Sequence, residues 1–141
     1  MNSKAKSALQ QYNQVGVHAN VEGADPHQLI QLLLDGALDK IRMATGYMIN
    51  RQIPQKGTHI SAAISIIEGL RVSLDKNSGG QIAENLENLY KYMEIRLVEA
   101  NLKNDPAILK EVTGLLGEIR EAWVAIRDQV QAVPVISGMA P

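Results

Sequence analysis

The sequence predicts an all-α protein: an antiparallel, up-down-up-down four-helix bundle led by a short N-terminal arm. Three observations predict it. Four segments carry apolar residues at alternating three- and four-residue steps, and no stretch alternates apolar and polar residues as a strand would. The segments are punctuated by Asp-Pro and Gly-Gly, signals that start and stop helices. The apolar set holds no Phe and one Trp, leaving Leu, Ile, Val, Met and Ala, a palette suited to helix-on-helix packing.

The first 24 residues stand apart. Ala5, Ala8, Leu9, Tyr12 and Val15 fit a short, weak amphipathic helix, and 17–24 has no helical period. This segment reads as an arm lying on the bundle. The first bundle helix is predicted over 26–50. Asp25 caps it by accepting a backbone N–H, and Pro26 at its first position gives up no bond. Leu29, Leu33, Ala37, Ile41, Ala44 and Met48 form one stripe and Ile30, Leu34 and Leu38 a second, so this helix should touch two neighbours. It should stop before Ile53-Pro54, because a residue preceding proline avoids helical geometry.

The second helix is predicted over 58–74, with Ile60, Ile64, Ile67 and Leu74 inward. The Asp75–Gly80 stretch then makes a tight turn. The third, over 81–102, carries Ile82, Leu86, Leu89, Met93, Leu97 and Ala100. The fourth, over 106–131, has the cleanest pattern. Leu109, Val112, Leu116, Ile119, Trp123, Ile126 and Val130 alternate steps of three and four, as in a coiled-coil seam. Together 25–133 makes the bundle and 134–141 a loose tail. Short connections at 75–80 and 103–105 make consecutive helices antiparallel neighbours.

Composition removes several function classes. Net charge is −1 and lacks the basic excess of a nucleic-acid binder. There is no cysteine, so disulfides, thiolate chemistry and Cys-based zinc sites are excluded. No apolar run is long enough to span a membrane. Lys4 and Lys6 are followed by no apolar signal core, which favours the cytoplasm. No catalytic, cofactor or metal site is predicted. The Glu-x-x-His motif of di-metal bundles is absent, and His18, His27 and His59 form no ligand pair. Gln55-Lys56-Gly57-Thr58 has phosphate-loop residues in the wrong order. Glu84, Glu87, Glu94 and Glu99 read as solvent-face carboxylates, and Glu118, Arg120 and Glu121 as a charged outer face. Asp35 with Gly36 reads as packing or a side-chain bond between helices. The rival with chemistry is a histidine phosphotransfer bundle, but neither His59 nor His27 is followed by the nearby base that would steady a phosphoryl group.

What remains is an apolar surplus. Ile66, Val72, Tyr90, Tyr92, Ile95, Val98, Leu115 and Val124 lie off the main stripes. Those not needed by the core would be exposed, and such patches mark partner sites.

Several segments carry a more specific likeness. They are Asp25-Pro26-His27-Gln28-Leu29-Ile30, Leu33-Leu34-Asp35-Gly36-Ala37, Gly79-Gly80-Gln81-Ile82-Ala83-Glu84-Asn85-Leu86 and Leu89-Tyr90-Lys91-Tyr92-Met93. Further along come Arg96-Leu97-Val98-Glu99-Ala100-Asn101-Leu102-Lys103-Asn104-Asp105 and the stretch from Glu111-Val112 to Ala122-Trp123. In this order, over about residues 9–125, the chain resembles the FliS-type flagellar export chaperones. It departs from them at Leu34, where the family usually has an aromatic, and at Asp25, where it usually has Ser or Thr.

The resemblance implies a non-enzymatic, cytoplasmic helical bundle. It would bind the disordered C-terminal region of flagellin, block premature polymerisation and present the client to the flagellar type III export gate. It also implies an arm, here with Leu9 and Tyr12, that covers part of the client site and contributes to handover. A second copy of the chain, met through the arm, is a further candidate partner. For the client groove the second and third helices are the choice: Ile66, Leu74, Ile82, Asn85, Leu89, Tyr90 and Met93. Leu89 and Met93 serve equally well as core. The alternatives are the phosphotransfer bundle and a helical adaptor with another client.

Overall fold

The computed structural model describes the backbone of residues 25–132 and the side chains of 25–127. The arm with Leu9 and Tyr12, and the tail 134–141, lie outside the described residues. Four helices follow in order: α1 (Pro26–Ile49), α2 (Ile53–Val72), α3 (Lys76–Lys103) and α4 (Pro106–Ala132). No described residue is in a strand. Each helix packs on two others, in the cyclic order α1, α2, α3, α4 and back to α1. Side-chain pairs run in opposite directions along two of the seams. Asp25 meets Arg127 and Asp35 meets Arg120 between α1 and α4. Lys56 meets Asn101 and Arg71 meets Glu87 between α2 and α3. The helices of both seams are therefore antiparallel.

The start of α1 is fixed by a reciprocal cap. The Asp25 carboxylate accepts from the Gln28 backbone N–H at 2.8 Å, and the Gln28 side chain accepts from the Asp25 N–H at 3.4 Å. The boundary between α1 and α2 differs from the sequence reading. The second helix begins at Ile53 rather than near Thr58, with Pro54 inside its first turn. Proline is accepted there because its missing N–H would have had no intrahelical partner. The chain reverses over Arg51, at φ 60°, and Gln52, at φ −90° and ψ 81°.

The start of α3 also differs. Asp75 caps a single helical turn by accepting from the backbone of Asn77 and Ser78, both at 3.1 Å. The turn breaks at Gly80, whose φ 53° and ψ −128° suit glycine alone, and the main helix runs on from there. Gly79 is constrained differently: a Cβ on it would sit 2.7 Å from the Ala83 Cβ. At its other end α3 stops at Asn104 in the left-handed conformation, φ 52° and ψ 48°.

The core is aliphatic. Leu29, Leu33, Ile41, Ile60, Ile67, Leu70, Leu97 and Leu109 are sealed from solvent, with Ala37, Ala44, Ala63 and Ala100 where the helices approach closely. Each large side chain so buried stabilises the fold by roughly 1.5–3 kcal/mol. The α4 seam is shorter than its sequence period suggests. Leu109, Val112 and Leu116 are buried, Ile119 and Trp123 are partly so, and Ile126 is exposed. Towards its end α4 engages the start of α1 by polar contacts instead.

Candidate functional site

Three of the four seams carry a polar clamp. Between α1 and α4, the His27 and Trp123 rings stack with centroids 4.4 Å apart. The Trp123 Nε1–H donates to the His27 carbonyl at 2.9 Å, and His27 Nε2 lies 2.7 Å from the Trp123 carbonyl. Arg127 adds two contacts of 2.6 Å to the Asp25 carboxylate. The Arg127 guanidinium, then the Gln28 N–H, hold that carboxyl down at about 2. Arg120, read from the sequence as outer-face charge, instead donates to Asp35 at 2.5 Å.

Between α3 and α4, Arg96 bridges Glu99 at 2.5 Å and Glu111 at 2.7 Å, and the Tyr92 hydroxyl donates to Glu111 at 2.6 Å. Between α2 and α3, Arg71 gathers Glu68, Glu87 and Glu94, with Lys76 on Glu87 at 2.8 Å. Glu87, Glu94 and Glu99 are thus half-buried seam groups rather than solvated ones, while Glu84 is exposed. The cause is the breadth of contact: α3 touches two neighbours, so positions beside its apolar stripe are partly covered.

At the far end of the α2/α3 seam, Lys56 is buried. Its ammonium donates to the Asn101 carbonyl at 2.9 Å and to the Asn104 side chain, closing the last turn of α3. A cation there is favoured by the negative end of the helix. The two described histidines sit in different surroundings. His27 is stacked on Trp123, and His59 Nδ1 lies 2.8 Å from the Gln55 carbonyl with its ring against Tyr47. Among the described residues no three His, Cys, Asp or Glu cluster to hold a metal, and no helix is long and apolar enough to cross a membrane.

The structure divides the candidate groove residues. Ile66, Tyr90 and Met93 are 1 %, 3 % and 0 % exposed and belong to the core. Burial pushes the Tyr90 hydroxyl up to about 12. These residues offer no surface in the free chain, because a helix touching two neighbours buries side chains well off its central stripe. Leu74 and Leu89 are half-buried against the core. Ile82 is 72 % exposed, and Asn85 beside it is exposed and accepts from the Gln81 side chain at 2.9 Å.

Another outward apolar stripe lies elsewhere on α3. Ile95, Val98 and Leu102 are 67 %, 54 % and 82 % exposed. Their spacing of three and four residues sets them on one side of the helix, away from the Met93–Leu97–Ala100 seam. Ile95 and Val98 are among the off-stripe residues the sequence singles out, and the spacing is the signal that adds Leu102. At its end the stripe meets a shallow groove of about 770 Å³ between α2 and α3, lined by Ile53, Pro54, Gly57, Ser61 and Leu102. A second groove, of about 760 Å³, lies between α1 and α4, walled by Leu38, Pro106 and Ala107 and rimmed by Asp39, Arg42 and Lys110. The α1/α4 groove is mainly apolar with a charged rim, a form that suits an amphipathic helix, while the α2/α3 groove mixes apolar residues with Lys56, Thr58, Asn101 and Asn104.

The chain is similar to known proteins over most of its length. The family model described as "Flagellar protein FliS" matches residues 8–130. The chain is 50 % identical over 122 residues to the flagellar secretion chaperone FliSB of Pseudomonas aeruginosa, covering 86 % of this chain and 97 % of that protein. It is 46 % identical over 121 residues to the flagellar secretion chaperone FliS of Salmonella typhimurium, covering 85 % and 90 %. Against the Bacillus subtilis FliS it is 35 % identical over 104 residues, covering 74 % and 77 %.

Proposed function

The chain belongs to the FliS family of flagellar secretion chaperones, and on that premise we propose that its client is the C-terminal segment of flagellin. The segment binds as a disordered chain and gains helix on the bundle. Binding prevents premature polymerisation, and the complex delivers the client to the flagellar export gate. The protein acts in the cytoplasm and catalyses no reaction. Leu9 and Tyr12 on the arm cover part of the client surface until flagellin displaces them.

The observation that carries this reading is the outward stripe Ile95–Val98–Leu102 running into the groove at Ile53. Folding on binding costs the client about 2–5 kcal/mol or more of ordering, so the surface it meets must be long and apolar. Ile82 and Asn85, exposed near the other end of α3, lie on a different side of the helix from this stripe and make a separate candidate contact.

The test is isothermal titration of the chain with the C-terminal segment of flagellin from the same organism, with circular dichroism before and after mixing. One-to-one binding, a negative heat-capacity change and a gain of helix support the proposal. An intact helical chain that binds nothing overturns the choice of client.

A further inference from the structure

Arg71 lies at the centre of the polar cluster between α2 and α3. Its Nε and Nη2 donate to the two oxygens of Glu68 at 3.0 and 2.5 Å, and its Nη1 donates to Glu87 at 3.2 Å. The third carboxylate is held less well. Glu94 Oε2 stands 3.7 Å from Arg71 Nε, is shut off from solvent and accepts no hydrogen bond. Glu94 Oε2 and Glu68 Oε1 therefore crowd round one nitrogen. Lys76 takes up Glu87 at 2.8 Å, so Glu68 and Glu87 each have a cation at hydrogen-bond distance and Glu94 has none. Were Glu94 ionised, a buried carboxylate oxygen would stand without a hydrogen bond, which is costly. A single proton on Glu94 relieves that cost.

We propose that Glu68 and Glu94 form a proton-operated clasp between α2 and α3: one proton shared by the pair holds the seam closed, and its loss loosens it. The charged groups facing Glu94 are Glu68 and Arg71 from α2, while Glu87, Lys76 and Lys91 act on the same cluster from α3. On the other side of α3, Glu111 of α4 is taken up by Arg96 and Tyr92.

The titration behaviour agrees with this geometry. Burial, and then the neighbouring Glu68 carboxylate, push the Glu94 carboxyl up to about 7, whereas Arg71 holds Glu68 below its ordinary value. Glu94 is thus the proton holder. Its folded-state value lies above the ordinary 4.5, so its contribution is complete below that pH and is lost as pH rises through 7. Between pH 5.5 and 8.5 the folded-to-unfolded ratio then falls by about tenfold, the side chain's partial exposure screening part of the effect.

The clasp works near neutrality, and it flanks core that a client could use. Tyr90 lies one turn before Glu94, and Met93 is its immediate neighbour. Its use in client uptake rests on the chaperone reading above, but its existence does not.

The experiment follows the Glu94 side-chain carboxyl carbon by NMR titration of the whole chain. It also measures amide protection factors and urea midpoints from pH 5.5 to 8.5, for the wild type and Glu94→Gln. A Glu94 midpoint near 7 is expected. With it should come protection over α2 and α3 that falls with pH in the wild type and stays level in Glu94→Gln. A midpoint in the ordinary glutamate range, or an equal pH slope in both proteins, overturns the proposal. Should Glu94→Gln not fold, the wild-type titration decides alone. Flagellin titration is scored separately: a working clasp with no flagellin binding refutes the client and not the clasp.

Discussion

Replacing Lys56 by methionine tests how the α2/α3 seam is closed at its α1/α2-loop end. The substitution keeps the aliphatic stem in its slot and removes only the ammonium. The lost interactions are the 2.9 Å bond to the Asn101 carbonyl and the bond to the Asn104 side chain. A hydrogen bond to a charged group contributes about 1.5–3 kcal/mol net. Two such bonds are offset by relief from holding a cation on a residue only 3 % exposed. The remainder is a loss of about 1–3 kcal/mol, with the Asn101 carbonyl and the left-handed Asn104 deprived of their anchor. Urea denaturation should show a lower midpoint at unchanged slope, and the melting temperature should fall by roughly 5–10 °C. Amide exchange should quicken first over the last turn of α3. A Lys56→Met protein as stable as the wild type, or more so, would refute the reasoning and mark the buried ammonium as a burden that packing merely tolerates.

Other outcomes follow from the same geometry. Gly79→Ala forces a methyl to within 2.7 Å of the Ala83 Cβ and should cost about 1–3 kcal/mol by chemical denaturation. Gly114→Ala meets nothing within 4 Å and should stabilise by about 0.5–1 kcal/mol through helix propensity. The Asp25 carboxyl is depressed to about 2, so its contribution is present above its ordinary 3.8 and lost as pH falls through 2. Arg127→Met should shrink that acid-side loss, as read from denaturation midpoints at pH 2 to 5. An unchanged acid limb would count against the latch.

The helices were legible because their signals are local. Asp25-Pro26 and Asp105-Pro106 mark starts, and the three-four spacing marks faces. The start of α2 departs from the sequence expectation because Ile53-Pro54 opens the helix, and a proline in the first turn of a helix is no barrier. The seam chemistry was not legible. Arg120 with Asp35 and Lys56 with Asn101 are distant in sequence, and nothing local distinguishes a clamped carboxylate such as Glu94 from a solvated one such as Glu84. The candidate groove was partly legible. Ile82 and Asn85 emerge on the surface. Ile66, Tyr90 and Met93 sink into the core, because wide contact on both sides of a helix buries what a single-stripe reading leaves outside. Ile95 and Val98 stand out in the sequence as apolar residues off the seam, and only Leu102, one turn further on the same side, escapes that reading.

The central claim is that α3's outward stripe receives the flagellin segment. The most direct test is calorimetric titration of that segment into the wild type and into the Ile95→Lys, Leu102→Lys double variant. Both residues are solvent-exposed, so the variant should melt as the wild type does. Its affinity for the segment should drop by about tenfold or more, a difference of about 1.4 kcal/mol. Equal affinity in two equally stable proteins would place the client on another face and contradict the account.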